Sequence, residues 1–414
     1  MIDCGRRLAT FVNVLFFGLL CSNCSTQQSD PPVTIPVHVI SGLVYMQGEV
    51  NSSVPLNVVL DSGAAISIVN PPVAETLGLT ATHSSAAAGI AEGSDQTLHF
   101  VDDCELRWGS QAAQISLPHQ QSAILPIDYV GMQIGMRTDA IFGSNLFLHY
   151  TIAMDYEKQH VTFISPALRA PSLGSPISIQ ILSNVPSIEA SIEGEDGKEI
   201  TALFLLDSGT SGAMILNRKF IDAHPGLIGP THFVETSEVK AVGGVIRSKR
   251  VRIPKVNLGP FPLSGVVAAV PDSSAGVLSN ASIAGFIGAG ILQRFTVTWD
   301  YTGKRIFLSP NRAFGKPFET DASGLHLVAP GPQYQEVVVD SVLSGSPAAK
   351  AGLEPSDEIL AINDIRGLPL WKVSEALCKA GTSVIVTVRR KTTILRVTLP
   401  LRSPFQATTR KAGR

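Results

Sequence analysis

Short apolar runs rich in Val, Ile, Leu and Thr recur along the chain, and Gly and Pro separate them. Runs of this length and composition, bounded by turn-forming residues, are typical of β-strands. The 36 Gly and 27 Pro of the 414 residues provide turns for many such strands. The pattern therefore predicts a mostly β protein, and the length allows two or three domains with sizeable cores.

Two of the apolar runs end in the same way. Residues 59–64 are VLDSGA and residues 205–210 are LLDSGT. In each copy an acid follows the apolar run and a Gly comes two residues later, which predicts a carboxylate on a tight turn at the end of a strand. One such segment alone would indicate no more than a turn.

Further segments repeat at nearly the same distance from each acid. Asp61 is followed 82 residues later by Gly143, and Asp207 is followed 81 residues later by Gly288. Both glycines come directly after two apolar residues, and in both copies an apolar run ending in Asp-Tyr lies a few residues beyond. Three landmarks in a common register are hard to obtain by chance, so we interpret them as one unit present twice.

The repeat predicts the domain organisation of most of the chain. One lobe occupies residues 31–165 and a second occupies residues 175–310. The Pro- and Ser-rich link 165–176 joins them. Two acids in equivalent places, one from each lobe, suggest a single site in which the two carboxylates face each other.

These features resemble the lobe of aspartic proteases, most closely the retropepsin-like type. An apolar strand running into Asp-Ser/Thr-Gly, with two apolar residues and a Gly some eighty residues later, is the pattern of that family. The resemblance covers residues 35 to 310. It implies a two-lobed pepsin/retropepsin-like acid protease fold in one chain, with Asp61 and Asp207 as the catalytic pair.

The resemblance also implies roles for the residues next to the two acids. Ser62 and Ser208 replace the commoner Thr and keep the hydroxyl group that locks the two turns together in the family. Gly63 and Gly209 let the backbone pass close to the opposing turn.

The chemistry explains why two acids are needed. Amide hydrolysis without a covalent intermediate requires a base to activate water and an acid to protonate the carbonyl oxygen. Two adjacent carboxylates share one proton, so one becomes the base and the other the acid. Lobe two has Thr210 where lobe one has Ala64, and a hydroxyl there can donate to Asp207. We therefore predict that Asp207 carries the charge and Asp61 the proton.

Each lobe should also carry a flap over the substrate. The candidates are residues 86–97, which contain Gly89 and Gly93, and residues 239–248, which contain Gly243 and Gly244. Gly in such hairpins lets the backbone approach and hydrogen-bond an extended peptide. An ordinary surface hairpin is the alternative for both segments.

Residues 318–402 resemble a bacterial PDZ domain. The resemblance rests on residues 345–353 (GSPAAKAGL) and 357–363 (DEILAIN), and it places the carboxylate-binding loop at Gly324, Leu325, His326 and Leu327. Consecutive free backbone N–H groups in such a loop hold a peptide's C-terminal carboxylate while an edge strand pairs with the peptide. A module that only packs against the lobes is the alternative.

The first thirty residues indicate targeting. Arg6 and Arg7 precede an apolar run over residues 8–20, and a polar stretch follows. The run is too short to span a membrane, and the order of charge is that of a secretory signal. We expect a signal peptide or lipoprotein leader over residues 1–30, export to the periplasm or cell envelope with a lipid anchor left open, and a C-terminal tail over residues 403–414.

Composition excludes several classes of partner. Charged residues make up 16% of the chain and the net charge is -2, so there is no basic field for nucleic acid. The nine His form no His-Glu-x-x-His motif, and beyond the leader only Cys104 and Cys378 remain, which form no ligand pair, so we expect no metal and no cofactor. Membrane contact is expected only through the leader or a lipid anchor.

The sequence thus predicts an exported aspartic endopeptidase that acts on polypeptides. Its PDZ domain would dock substrates or partners, including the C-terminal ends of peptides. A protein that keeps the duplicated fold only as a peptide-binding or scaffold module of the cell envelope remains the alternative. Retention of both acids with their hydroxyl and Gly neighbours argues against that alternative.

Overall fold

The computed structural model describes residues 31–87, 96–110, 113–166, 168, 175–228, 234–235, 239–241, 244–272, 278 and 280–405. Strands dominate these residues, as the apolar pattern predicts. The strands of the first lobe are β1 (Val33–Pro36), β2 (His38–Ile40), β3 (Leu43–Val50), β4 (Leu56–Leu60), β5 (Ser67–Val69), β6 (His83–Ala87), β7 (Gln96–Ser110), β8 (Ala113–Ile124), β9 (Ala140–Phe142), β10 (Thr151–Asp155) and β11 (His160–Ile164).

The second lobe has its own strands. They are β12 (Ile177–Ser178), β13 (Gln180–Leu182), β14 (Val185–Glu193), β15 (Glu199–Asp207), β16 (Met214–Leu216), β17 (Val234–Glu235), β18 (Val239–Ala241), β19 (Gly244–Ile246), β20 (Ser248–Leu258), β21 (Phe261–Pro271), β22 (Gly285–Gly288), β23 (Phe295–Asp300) and β24 (Arg305–Pro310).

The C-terminal domain and the short helices complete the described elements. The last strands are β25 (Leu325–Val328), β26 (Val338–Val342), β27 (Glu358–Ile362), β28 (Ile365–Arg366), β29 (Ser383–Arg390) and β30 (Thr393–Pro400). The helices are α1 (Pro71–Thr76), α2 (Asp128–Ile134), α3 (Ser144–His149), α4 (Arg218–Ala223), α5 (Ala289–Leu292), α6 (Pro347–Lys350) and α7 (Leu370–Leu377).

The two lobes are built on eight-stranded sheets with equivalent strand orders. The first has the order β2-β3-β4-β9-β5-β8-β7-β6 and the second β13-β14-β15-β22-β16-β21-β20-β17. Each sheet curls, because β3 also pairs with β7 in the first and β14 with β20 in the second. In both sheets the strand before the acid lies parallel to the strand before the later Gly. The sheet therefore brings Asp61 beside Gly143 and Asp207 beside Gly288.

A six-stranded sheet joins the lobes, in the order β1-β11-β10-β23-β24-β12. Its two central strands, one from each lobe, run antiparallel, with Ile152 opposite Trp299. Trp299 is fully buried, and its ring packs edge-on against Phe147 of the first lobe at 5.9 Å between centroids. The lobes thus share a core and are held in a fixed relative position.

The chain then crosses to the C-terminal domain through a segment bound by Arg294. This side chain is 7% exposed and lies 3.5 Å from the ring centre of Phe318. Its guanidinium group donates to the backbone oxygens of Ala313, at 2.9 Å, and Pro317, at 3.1 Å. The crossing is thereby fixed to the end of α5.

The C-terminal domain has a sheet in the order β25-β26-β27-β29-β30, with β28 paired to β27, and α7 packs on its own apolar core. Two turns of this domain use left-handed backbone without Gly. Ser356 has a φ of 72°, while Asn363 and Asp364 have φ values of 49° and 68°. Asn and Asp tolerate this region better than Ser does.

None of the helices in the described residues combines the length and apolar character needed to cross a lipid bilayer.

Candidate active site

The two acids stand at corresponding strand ends. Asp61 directly follows β4, and its backbone N–H donates to the oxygen of Phe142 at 3.0 Å. Asp207 ends β15 and lies opposite Gly288 in the parallel pair. The β-rich runs that the sequence shows before each acid are these strands, so local sequence and sheet pairing together place both carboxyl groups.

Reciprocal hydrogen bonds lock the two turns together. The backbone N–H of Ser62 donates to Oγ of Ser208 at 2.9 Å, and the backbone N–H of Ser208 donates to Oγ of Ser62 at 3.0 Å. Each hydroxyl also donates across the lobe boundary, to the backbone oxygen of Leu206 at 3.1 Å or of Leu60 at 3.2 Å. Both serines are fully buried, so these groups have no access to water as an alternative partner.

The carboxyl groups of Asp61 and Asp207 lie next to each other across the lobe boundary. The backbone N–H of Gly209 bridges them, because it lies 2.9 Å from Oδ1 of Asp207 and 3.1 Å from Oδ1 of Asp61. The N–H of Gly63 donates to the same Asp61 oxygen at 2.7 Å. A Cβ on Gly63 would lie 2.6 Å from the carboxyl carbon of Asp207, so only Gly permits this approach.

The surroundings of the two acids differ in the residue three positions after each acid. Thr210 Oγ1 donates to Oδ2 of Asp207 at 2.8 Å, and the backbone N–H of Thr210 donates to Oδ1 at 3.0 Å. Ala64 stands at the equivalent place in lobe one and has no side-chain donor. Asp207 therefore receives more stabilisation of its charged form than Asp61 does.

Burial raises the pKa of Asp61 to about 8, and the neighbouring charge of Asp207 adds to the effect. Burial also raises the pKa of Asp207, but the donors on Thr210 and Gly209 oppose the rise. This arrangement favours a proton on Asp61 and a negative charge on Asp207.

The later glycines support the turns from behind. Gly143 and Gly288 each precede a short helix, α3 and α5. A Cβ on Gly143 would lie 2.5 Å from the backbone oxygen of Ala64, and one on Gly288 would lie 2.7 Å from that of Thr210. The next residues, Ser144 and Ala289, donate from their backbone N–H groups to the same two oxygens. The helices thereby hold the turns that carry the acids.

A cavity of about 750 Å³ lies over the two acids, and residues from both lobes line it. Within the described part of the chain, Asp61 and Asp207 are the only charged residues that line it. Most of the other lining side chains are apolar, including Val59, Ile141, Leu205 and Phe286. A charge on one carboxyl group would therefore meet few competing charges, and extended apolar segments would fit beside it.

Helix α2 forms part of the cavity wall, although no sequence motif predicts this helix. Tyr129, Val130, Gln133 and Ile134 of α2 line the cavity. Burial, and then the charges of Asp61 and Asp207, raise the pKa of Tyr129. The helix has seven residues, and no side chain caps its first turn, so the sequence carries only a weak signal for it.

The predicted flaps are described only in part. Gly89, Gly93 and Gly243 lie outside the described residues. Gly244 begins β19, which pairs with β18 in a separate two-stranded sheet. The arms that lead to the first candidate are β6 and β7, which pair with each other.

In the predicted carboxylate-binding loop of the C-terminal domain, two backbone N–H groups already donate to nearby side chains of the same chain. The backbone N–H of Gly324 donates to Oδ2 of Asp321 at 2.7 Å, and that of Leu325 donates to Oγ of Ser323 at 3.0 Å. Gly324 has a φ of 79°, in the left-handed region that Gly adopts more readily than other residues. These two donors are not the free N–H groups that the sequence led us to expect.

The rest of that loop enters β25. His326 and Leu327 lie in this strand, and Nδ1 of His326 is 3.0 Å from Oδ2 of Asp340 on β26. Helix α7 packs next to β25, and the backbone oxygen of Leu377 accepts from the N–H of Ala322 at 3.0 Å. The edge strand and the helix that flank a PDZ groove are therefore both present.

No group of three or more His, Cys, Asp or Glu side chains within the described ranges is arranged to hold a metal ion.

Comparison with known proteins agrees with this architecture. The PDZ domain family matches residues 320–401. Residues 320–401 are a PDZ domain. The match lies within the region that the sequence assigned to this fold, and it contains the edge strand β25 and the helix α7.

A curated protein is similar to part of the chain. DNA damage-inducible protein 1 of Phaeosphaeria nodorum is 28% identical over 175 residues, which are 42% of this chain and 35% of that protein. The chain therefore spans about a third of the length of this curated relative.

Among solved structures, an aspartic proteinase from Irpex lacteus is similar over 70% of this chain and 100% of its own, at 14% identity and a TM-score of 0.41. A retropepsin-like aspartic protease from Rickettsia conorii is similar over 32% of this chain and 89% of its own, at 14% identity and a TM-score of 0.24.

Proposed function

We propose that the protein is an aspartic endopeptidase with a PDZ domain that docks peptides. The observation that carries the proposal is the pair Asp61 and Asp207, whose carboxyl groups both accept from the backbone N–H of Gly209 across the lobe boundary, inside an apolar cavity. The reciprocal bonds between Ser62 and Ser208 hold this pair in place. An apolar site with two coupled acids suits general acid–base chemistry on a neutral amide.

The unequal surroundings assign the roles. Charged Asp207 takes a proton from a water molecule while the water oxygen bonds to the amide carbon. Asp61 gives its proton to the carbonyl oxygen, and a neutral tetrahedral diol forms. The proton now on Asp207 then passes to the amide nitrogen as the C–N bond breaks, and Asp61 recovers a proton from a diol hydroxyl. The products are a carboxylic acid and an amine, and the pair returns to its starting state.

The substrate class follows from the cavity. Its lining is largely apolar and comes from both lobes, so an extended polypeptide with apolar side chains near the cleaved bond fits the chemistry of the walls. The PDZ domain at residues 320–401 supports binding of peptide ligands through the edge strand β25. We propose that it docks substrates or partner proteins.

We further propose that the protein is exported. The support is the order of charge and apolar residues in the leader over residues 1–30, which resembles a secretory signal. The expected destination is the periplasm or cell envelope. Cys21 and Cys24 are the two candidate positions for a lipid anchor. Cell fractionation of an epitope-tagged chain, with and without the leader, tests this assignment.

The test of the protease proposal is direct. The chain lacking the leader is incubated with denatured casein at pH 4 to 7, beside the variants Asp61→Asn and Asp207→Asn. We expect cleavage by the parent and a loss of at least a thousandfold in each variant, because each acid is needed in every turnover. Equal background from all three proteins would favour the non-catalytic peptide-binding or scaffold alternative.

A further inference from the structure

Helix α2 lies between the candidate active site and the PDZ domain. One side contributes Tyr129, Val130 and Ile134 to the cavity wall over the two acids. The other side contacts β25 and α7, the two elements that flank a PDZ groove. A single short helix therefore separates the cleft of the first lobe from the peptide-binding surface of the C-terminal domain.

A backbone oxygen of α2 accepts a hydrogen bond from the edge of the PDZ sheet. The N–H of Ala329, the residue directly after β25, donates to the backbone oxygen of Met132 at 2.7 Å. β25 is the outer strand of its sheet, and a PDZ ligand extends such a sheet by pairing with the outer strand. The backbone oxygen of Met132 thus lies next to the path that an added peptide strand would take. The side chain of Met132 packs on the PDZ core.

Two glycines make the contact tight. A Cβ on Gly131 would lie 2.7 Å from Cζ of Tyr334, so the Tyr334 ring lies directly against the helix backbone. A Cβ on Gly135 would lie 2.6 Å from Cβ of Leu370, the first residue of α7. Backbone of lobe one therefore lies directly against Tyr334 and against the start of α7.

The PDZ helix also contributes to the apolar cluster of lobe one. Trp371 of α7 packs against the cluster that contains Ile127, Ile134 and Ile141. Ile134 and Ile141 also line the cavity over the two acids. Separation of α7 from this cluster would therefore remove support from the cavity wall.

We propose that α2 is an internal ligand of the PDZ groove, which a peptide with a free C-terminal carboxylate must displace in order to bind. Release of α2 loosens the cavity wall and weakens substrate binding in the cleft. The competition rests on geometry alone, and its effect on turnover rests on the proposed protease function. The PDZ domain is then a regulator of the cleft as well as a docking module.

The test uses the chain without its leader and with Asp61→Asn, so that the probe is not cleaved. The probe is a pool of hexapeptides that end in Val, Leu or Phe, with a free carboxylate and a fluorophore at the N-terminus. Gly131→Ala favours the helix but forces Tyr334 away from it. Gly315→Ala is the matched control, because a Cβ there meets nothing within 4 Å.

We expect Gly131→Ala to bind the pool at least tenfold more tightly than its parent, and Gly315→Ala to equal the parent. Trp108 and Trp299 are buried at 2% exposure or less, so a red shift of tryptophan emission would report Trp371. Gly131→Ala alone, and the parent with saturating peptide, should both show that shift. Should Gly131→Ala not fold, Met132→Ala is measured in its place, because it removes the packing on the PDZ core.

Equal affinity of the loosened variant and its parent, no binding by either, or an unchanged emission would each overturn the proposal. None of these readouts depends on proteolysis, so they stand apart from the protease proposal. With Asp61 restored, saturating peptide should raise KM for a short substrate several-fold and change kcat less. This split is expected because α2 lines the cavity wall, so its release acts first on substrate binding.

Discussion

The hydroxyl group of Thr210 donates to Oδ2 of Asp207 over 2.8 Å, and the first lobe has Ala64 in the equivalent place. Two acids that come from corresponding turns are therefore chemically unequal. The donor stabilises the charged form of Asp207 and leaves the shared proton to Asp61. This difference can be tested in the pH dependence of the reaction.

Thr210→Ala should move the acidic limb of the kcat/KM profile to higher pH. Loss of the donor raises the pKa of Asp207. As the pH falls, the charged base is therefore protonated at a higher pH than in the parent. A hydrogen bond to a charged group contributes about 1.5–3 kcal/mol, which corresponds to about one to two pH units. Thr210→Ser keeps the hydroxyl and should stay close to the parent. An acidic limb that does not move in Thr210→Ala would contradict the assignment of charge.

The stability of the protein should depend on Asp61 in a definite direction. Its pKa in the folded protein is raised to about 8, above the value near 4 of an unfolded chain. The folded state therefore binds the proton more tightly, and the stabilisation present below pH 4 is lost as the pH rises to about 8.

Asp61→Asn removes this titration. The variant should gain stability relative to the parent between pH 4 and pH 8, as measured by urea unfolding followed by tryptophan fluorescence. A constant difference across that range would show that the carboxyl of Asp61 does not titrate in this way.

Ser62→Ala should destabilise the junction of the lobes. It leaves the backbone N–H of Ser208 and the oxygen of Leu206 buried without these partners. A buried polar group without a partner costs about 1–3 kcal/mol, so the free energy of unfolding should fall by about 2–4 kcal/mol. Urea unfolding in the Asp61→Asn background measures this without self-cleavage. Ser62→Thr keeps the hydroxyl and should retain most of the stability.

Gly209→Ala should abolish activity while the chain still folds. The added methyl group would overlap the carboxyl group of Asp61, so the two acids would be forced apart. A Cβ on Gly212 meets nothing within 4 Å, which makes Gly212→Ala the matched control in the same loop. We expect a loss of at least a hundredfold in casein cleavage for Gly209→Ala and less than threefold for the control. Similar losses in both variants would indicate general damage to the loop.

Arg294→Ala should release the segment that leads to the PDZ domain. The side chain donates to several backbone oxygens of residues 313–317, and Phe318 covers it. Its removal leaves these acceptors unpaired, at a cost of about 3 kcal/mol. Limited proteolysis by trypsin should cut the variant between the second lobe and the PDZ domain much faster than the parent. Arg305→Ala, whose target Asp300 lies elsewhere, is a control that should not expose this segment.

The sequence predicted the mostly β fold, the two lobes and the PDZ domain because these depend on local patterns. Apolar runs ending in Asp-Ser-Gly are strands followed by turns, and the constant spacing places each acid beside its later Gly. The bond between Thr210 and Asp207 could also be expected, because the two residues are only three positions apart in the chain. Site roles inferred from the family resemblance stay predictions until activity is measured.

Other features depend on contacts between distant parts of the chain. The position of α2 against β25 joins residues about two hundred positions apart, and α2 itself has no sequence motif. The hydrogen bonds of Asp321 and Ser323 to the carboxylate loop are local, but no known pattern marked them. Sequence reasoning found the residues of the loop and could not show that two of its donors are occupied.

The hydrogen bonds between Ser62 and Ser208 span 146 residues of chain. During synthesis, the first lobe is complete long before the strand that carries Asp207 exists. A chain truncated anywhere within lobe two before β22 and β23 would lack the sheet partners that position the second acid. Division of the site between two halves of the polypeptide thus delays the proposed hydrolytic activity until both lobes have been made and have met, so an unfinished chain would lack that activity.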